Sequence, residues 1–308
     1  MKRTVADVLR RGFQNAVANW QLLLIHFAEN VVMAMIIIGA SIATVLPIII
    51  SFVSHPPSAL ESAEDLRDFA LSHLGIFVYA CAVVTVIGLI VIAIHSFVVA
   101  GVARVLVDGN RRADSALTRD RFRSFRFEEW LDGGRKEWIA VFWIYNFVYG
   151  LIGLIAVVPF CLVVAIEVFS LMAEMKVAAI ATGCIGIPIV LFLAIFSSIL
   201  ASVWSRKAII VCVEEQRGGS DAMRIAWRQA RADMTRHFGV AFILFVISIG
   251  GGGLISMVSL TFSMPAMAHG GGIVLFPVRI LLSAVSAVFS SAMGLWSIAA
   301  FAALSEKS

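Results

Sequence analysis

The chain alternates between long apolar runs and short polar segments. Six runs hold enough apolar residues to cross a hydrocarbon core of roughly 30 Å, which needs about 20 helical residues. They cover residues 21–53, 74–107, 138–170, 177–213, 238–263 and 273–304. The pattern predicts an all-α integral membrane protein: a single polytopic domain over residues 1–308, with six transmembrane helices arranged as three helical hairpins.

Prolines and glycines inside these runs predict irregular helices. Each proline removes a backbone donor and clashes one turn back; those concerned are Pro47, Pro159, Pro188 and Pro277. The fifth run contains Gly250–Gly253, although each glycine costs roughly 1 kcal/mol of helix stability relative to alanine. Two interpretations stay open: the glycines allow close helix packing, or they break the helix at mid-membrane, as in many transporters.

The segments before the first, third and fifth runs have the pattern of basic amphipathic helices. In residues 5–20, apolar side chains recur every three or four positions, with polar residues between them. Thr4 and Asp7 form a variant of the capping box at its start. Residues 125–138 and 220–238 repeat the design. We expect all three segments to lie in the plane of the cytoplasmic headgroups.

Because each such segment opens a hairpin, the chain can be divided into pseudo-repeats 1–107, 108–213 and 214–308. Any six-span protein with both termini on one side also has three hairpins, so the topology alone does not require a repeat.

The distribution of cations predicts the orientation. Of 24 lysine and arginine residues, all but Arg67, Lys176 and Arg279 fall in segments on the side of the N-terminus. Cytoplasmic loops retain such cations, so both termini are expected to face the cytoplasm. The aromatic residues of these segments lie on helix faces aimed at the bilayer, which favours anionic phospholipid over nucleic acid as the partner. The candidate headgroup contacts are Arg10, Arg11, Arg224, Arg228 and Arg231.

The composition excludes a soluble domain. The sequence is 60% hydrophobic and 14% charged, against roughly 45–50% and 25% in ordinary globular chains. Its four cysteines form no CxxC pair, and no nucleophile, acid–base or dinucleotide motif occurs. We therefore expect no metal, no cofactor and no enzymatic activity.

A few ionisable residues fall inside the runs, where charge is costly. His26 and Glu29 share a helix face in the first run, and His95 reaches a comparable depth in the second. This cluster relays protons, binds a cation or holds a lipid headgroup, or else it forms an interhelical hydrogen-bond patch that orders the bundle. Toward the other side, Glu167 and Arg279 form either an ion pair or an entrance charge for an anionic ligand.

Residues 208–227 carry an ordered set of features. An apolar run ends in Glu215, and Gly218 follows three residues later. The pair Ala222-Met223 and then Trp227 lead into a basic helix. The set resembles bacterial and archaeal membrane proteins related to the glycerophosphoryl diester phosphodiesterase membrane domain. Ala226 stands where that family usually has Ser. The segment from Phe127 to Arg135 resembles a second cytoplasmic element of such proteins.

The resemblance implies an integral membrane domain of largely unknown role, sometimes joined to a catalytic domain. A phosphodiesterase barrel needs about 250 further residues, whereas the longest polar stretch here is 108–137. The sequence thus favours a non-enzymatic component that engages lipid or organises a membrane process. A small-molecule or ion permease that uses the polar cluster and a broken fifth span is the alternative, and a membrane-embedded lipid-modifying enzyme has least support. Cargo, partner proteins and any homo-oligomer stay open.

Overall fold

The computed structural model describes residues 3–54, 74–113, 118–172, 175–268 and 276–305, and within these ranges the chain forms helices and no strand. Ten α-helices are described, together with a 3₁₀ turn at Arg119–Phe122 and π-helical turns at Gly153–Val157 and Thr182–Gly186. The α-helices are α1 Val5–Ala18, α2 Gln21–Ser54, α3 Leu74–Ala113, α4 Phe127–Ile152, α5 Val158–Met172, α6 Lys176–Ala181, α7 Ile187–Glu215, α8 Gly219–Ala232, α9 Met234–Ala268 and α10 Phe276–Leu304.

Among the residues that the structure describes, six helical stretches are long and apolar enough to cross a membrane, which agrees with the predicted number of spans. They are Gln21–Ile50, Leu74–Ala113, Phe127–Ser170, Thr182–Glu215, Met234–Thr261 and Pro277–Leu304. In their middle portions large apolar side chains are exposed, among them Met35, Val84 and Leu254. Exposed apolar surface on this scale is stable only where lipid is the solvent.

The irregularities fall partly where the sequence placed them. The π-helical turns directly precede the segments that carry Pro159 and Pro188. The fifth span, however, is one continuous helix, so the interpretation of a break at Gly250–Gly253 is wrong. A Cβ atom at Gly251 would collide with the ring of Phe289 on α10, so at this position the glycine allows close packing. Apolar surroundings also favour continuity, because freed backbone groups find no water there.

The chain divides into two compact units, residues 27–95 and the remainder. The first boundary lies after His26 and the second before Ser96. Neither boundary coincides with the pseudo-repeats, which stay a prediction.

The buried core of the larger unit lies at the ends of three spans. The longest runs of buried residues are Val98–Val107 in α3, Lys207–Val213 in α7 and Ser297–Leu304 in α10, interrupted only at Arg104. Helix α1 packs against α10 and against the 3₁₀ turn. The short helices α1 and α8 thus cover a packed end, whereas the apolar middles of the spans are exposed.

Polar side chains hold α1 in this core. We call Arg11, Asn15, Asn19, Asn110 and Ser124 the Asn–Arg anchor; all five are at most 3% exposed. Arg11 donates to the Asn110 side-chain oxygen at 2.6 Å and to the Asn110 carbonyl at 2.9 Å, and its guanidinium lies 4.9 Å from the centre of the Phe122 ring. The Asn110 carbonyl belongs to the last turn of α3, where carbonyls lack intrahelical donors.

The asparagines extend the anchor to the neighbouring segments. Asn15 donates to the Leu106 carbonyl at 2.8 Å, and Asn110 to the Ala302 carbonyl of α10 at 3.2 Å. The side-chain oxygen of Asn19 accepts hydrogen bonds from the backbone N–H groups of Ser124 at 2.9 Å and of Phe125 at 2.8 Å. Helix α1, the end of α3, the end of α10 and the segment before α4 are therefore tied together.

Helix α1 consequently departs from the predicted in-plane helix. Its buried stripe contains Val8, Gly12 and Ala16 but also Arg11 and Asn15, so part of the predicted polar face lies inside the protein. Gly12 makes this possible, because an ideal Cβ there would lie 2.6 Å from the Ala300 Cα atom.

The predicted capping box at the start of α1 is confirmed. The Asp7 backbone N–H donates to the Thr4 hydroxyl oxygen at 3.2 Å, and the Asp7 carboxylate accepts from the Thr4 hydroxyl at 2.6 Å and from the Thr4 backbone N–H at 3.2 Å. These two hydrogen bonds to the carboxylate hold the pKa of the Asp7 carboxyl below its ordinary value of 3.8, and the bond from the Thr4 hydroxyl has the larger effect.

We expect Gly12→Ala to lower the free energy of unfolding by about 1–3 kcal/mol, since either α1 or α10 must shift to admit the methyl group. Gly252→Ala is the matched control, because a Cβ there meets nothing within 4 Å and alanine favours a helix. Denaturant titrations of both variants in detergent test this. Equal stability of the two variants would show that the contact with Ala300 is not close.

We expect Thr4→Val to raise the pKa of Asp7 toward 3.8, whereas Thr4→Ser retains the hydroxyl and the low value. Because the pKa of Asp7 is lower in the folded protein, its ionised carboxylate stabilises the fold fully above the pKa of the unfolded chain. This stabilisation is lost as the pH falls through the pKa of the folded protein. The chemical shift of the Asp7 carboxyl carbon, recorded from pH 7 to pH 2, measures this pKa in each variant. An unchanged pKa in the valine variant would contradict the assignment of Thr4 as the main cause.

Candidate functional site

Helix α8 presents three arginines on one exposed face. Its buried face consists of Gly219, Ala222, Ala226 and Ala230, and it packs against α7 and α4. These small side chains allow a close approach: a Cβ at Gly219 would lie 2.7 Å from a backbone carbonyl oxygen of α4. The helix is thereby fixed in rotation, and the positions between the small residues point outward.

The exposed positions include all three arginines predicted for α8. Arg224, Arg228 and Arg231 are exposed. Arg224 donates to the Asp221 carboxylate at 2.9 Å, an exposed pair one turn apart; such pairs contribute little to stability. Arg228 and Arg231 form no ion pair with the residues that the structure describes. The face therefore carries cationic groups that are not neutralised within the described protein.

An aromatic residue lies beside these cations. Trp227 is 36% exposed, and its ring centre is 5.5 Å from that of Trp204 on α7. Trp204 donates its indole N–H to the Met223 carbonyl at 2.9 Å, which fixes α8 further. Exposed tryptophan next to arginine is typical of helices at a membrane interface.

The two arginines predicted on α1 have different environments. Arg10 is exposed. Arg11 is 1% exposed and bound by Asn110, so its prediction as a headgroup contact does not hold. The recurrence of apolar residues every three or four positions located the polar face correctly, but Asn110 of α3 rather than lipid binds Arg11.

Within the smaller unit, Glu29 and His95 join two spans. The His95 Nδ1 atom lies 2.6 Å from a Glu29 carboxylate oxygen, and Glu29 is 5% exposed. His26 is also buried but belongs to the larger unit. The predicted partnership of Glu29 and His95 is thus present. Among the described residues no three His, Cys, Asp or Glu side chains come together as a metal site.

The predicted pair between Glu167 and Arg279 is not formed among the described ion pairs. A Glu167 carboxylate oxygen instead faces the π-helical turn, 3.2 Å from the ideal Cβ position of Gly183. Both residues lie within spans, but Glu167 packs toward the segment that follows it in the chain.

The residues of the family-like motif form the connection between α7 and α8. Helix α7 ends at Glu215, and Gln216 adopts the left-handed conformation with φ 52°. Gly218 is the N-cap of α8, and Ala222 is fully buried. The motif therefore sets the angle at which the arginine-bearing helix leaves the span.

Sequence reasoning missed a polar cavity between α7, α9 and α10. Its volume is about 270 Å³, and five serines and Arg206 line it. The signal was the spacing of Ser198, Ser202 and Arg206, four residues apart on α7, which places them on one helix face. Isolated serines in spans commonly bond to their own backbone, so the spacing alone did not predict a cavity.

No family model, curated protein or solved structure matches the chain. The resemblance to the phosphodiesterase membrane domain therefore stays a prediction.

For the pair in the smaller unit, we expect Glu29→Ala and His95→Ala to be non-additive, with a coupling free energy of about 0.5–3 kcal/mol, because the residues are in direct contact. Denaturant titrations of the two single variants and the double variant give this energy. Glu29→Ala combined with Thr44→Ala is the control, four helical turns away, and its effects are expected to add. Additive behaviour of the first pair would show that the contact stabilises nothing.

Proposed function

We propose that this chain is a non-enzymatic membrane component whose basic end binds anionic phospholipid headgroups. The observation that carries the proposal is the exposed face of α8, where Arg224, Arg228 and Arg231 lie beside Trp227 on a helix fixed by its small residues. An exposed cation near an anionic membrane surface contributes about 1 kcal/mol to binding.

The proposed topology follows from the cation count. Both termini and α8 face the cytoplasm, in a bacterial cytoplasmic membrane, and the six spans form three hairpins. The packing of α4 against α7 and of α9 against α10 supports two of these hairpins. With this orientation the arginines of α8 meet the leaflet that carries the anionic lipids.

The alternative of a permease now depends on the Glu29–His95 pair. The continuity of α9 removes the broken span on which a substrate site at Gly250–Gly253 depended. Lipid engagement is therefore the function that the described geometry supports better.

We expect the triple variant Arg224→Gln, Arg228→Gln and Arg231→Gln to lose its preference for anionic lipid. Each removed cation lowers the association constant of phosphatidylglycerol relative to phosphatidylcholine by up to about fivefold. Spin-labelled lipids in proteoliposomes of defined composition measure this ratio. For the wild type, raising the salt concentration should reduce the ratio as well, because exposed charges are screened.

Arg279→Gln is the control for the triple variant, since it removes the same kind of charge from the opposite predicted side. It is expected to leave the lipid preference unchanged. A triple variant with the wild-type ratio would exclude α8 as the headgroup-binding surface.

A further inference from the structure

The serine-lined cavity has polar and apolar sides. The polar side consists of hydroxyl groups and one guanidinium, contributed by Ser198, Ser202, Arg206, Ser248, Ser290 and Ser297. The other lining residues are mainly apolar, among them Leu244, Phe245 and Met293. All belong to the larger unit. A polar surface between membrane spans is costly unless something satisfies its groups.

The hydroxyl groups are largely available to a ligand. Ser198 donates to the Ala194 carbonyl of its own helix at 2.6 Å. The hydroxyls of Ser202, Ser248, Ser290 and Ser297 donate to no residue that the structure describes. Ser297 is only 6% exposed and is one of the residues that line the cavity. Serines in spans otherwise bond to the carbonyl one turn back, and these four do not.

Arg206 supplies the charge. Its Nε–H donates to the Ser202 hydroxyl oxygen at 3.0 Å, which holds the guanidinium on the cavity wall. It forms no ion pair with any described residue, and it lies within the apolar span Thr182–Glu215. A guanidinium without a carboxylate, in a setting of low dielectric, attracts an anion strongly.

The shape of the cavity limits the ligand. Arg206 and Ser198 are eight residues apart on α7, so they are separated by about 12 Å along the helix axis. The volume of about 270 Å³ is below the range of roughly 300–1,000 Å³ that takes drug-sized ligands. The site therefore suits a small anionic group with several oxygen acceptors.

We propose that this cavity binds a phosphoryl group, with Arg206 on the phosphate oxygens and the serine hydroxyls on the phosphate and its ester oxygens. Guanidinium pairs with phosphate through two parallel hydrogen bonds, and hydroxyl groups complete such sites. The group comes either from the headgroup of a phospholipid, whose chains would lie against the apolar helix surfaces, or from a soluble phosphate. This site is independent of the α8 face and stands whether or not α8 binds lipid.

The test is native mass spectrometry of the full-length protein in detergent, titrated with phosphatidylglycerol. We expect one saturable lipid per chain, and we expect Arg206→Gln to weaken its binding at least about tenfold through loss of a charge-assisted contact. Arg279→Gln, with the same charge change outside both the cavity lining and the α8 face, should leave this one lipid bound.

Further arms identify the source of the phosphoryl group. If inorganic phosphate or glycerol 3-phosphate displaces the lipid at millimolar concentration from the wild type, the cavity binds soluble phosphate as well; if neither does, the lipid headgroup is the ligand. Both results support the site. Saturable binding that Arg206→Gln leaves unchanged would overturn it, and so would the absence of saturable binding by any of the three probes.

A second variant guards against misfolding of Arg206→Gln. Ser248→Ala with Ser290→Ala retains the arginine, removes two hydroxyls without a described partner, and replaces exposed residues by a better helix former. We expect this variant to fold as the wild type does and to bind phosphatidylglycerol several-fold more weakly. Wild-type affinity in this folded variant would exclude the serines as ligands.

Discussion

A buried arginine determines how the packed end of the larger unit is built. The Arg11 guanidinium is removed from water, so it must find acceptors inside the protein or unfold the helix that carries it. It finds them on Asn110, at the end of α3, where the last carbonyl groups of a helix have no intrahelical donor. Asn110 in turn donates to the end of α10. The position of α1 is therefore set by charge-assisted hydrogen bonds as well as by apolar packing.

This arrangement distributes the two roles of the basic end between two helices. Helix α1 uses Arg11, Asn15 and Asn19 for internal contacts, which leaves Arg10 exposed. Helix α8 buries only alanine and glycine, so its arginines stay outside. Helix α1 thus packs against the ends of the spans, and α8 is the surface that we propose binds lipid.

The sequence predicted the spans well because apolar length is nearly sufficient to define them. It did not predict what covers the polar face of α1, since helical periodicity identifies a face and not its neighbour. Gly12 together with Asn15 and Asn19 was the available signal: neutral amides and a glycine suit contacts with backbone, whereas lysine suits headgroups. The serine-lined cavity joins three helices far apart in the chain, around residues 202, 245 and 293, and no local pattern encodes that juxtaposition.

Three arginines of the chain differ in their burial and in their hydrogen-bond partners, and these differences bear on function. Arg11 is 1% exposed and donates to Asn110, so it is closed off from an outside ligand. Arg224 is exposed and paired with Asp221, where water and salt weaken any single contact. Arg206 lies within an apolar span and has a single described hydrogen bond, to a serine. Specific recognition of one anion needs an arginine that is shielded from water and has few protein partners, whereas attraction to many lipids at a surface needs neither. We therefore place a discrete site at Arg206 and a diffuse one on α8.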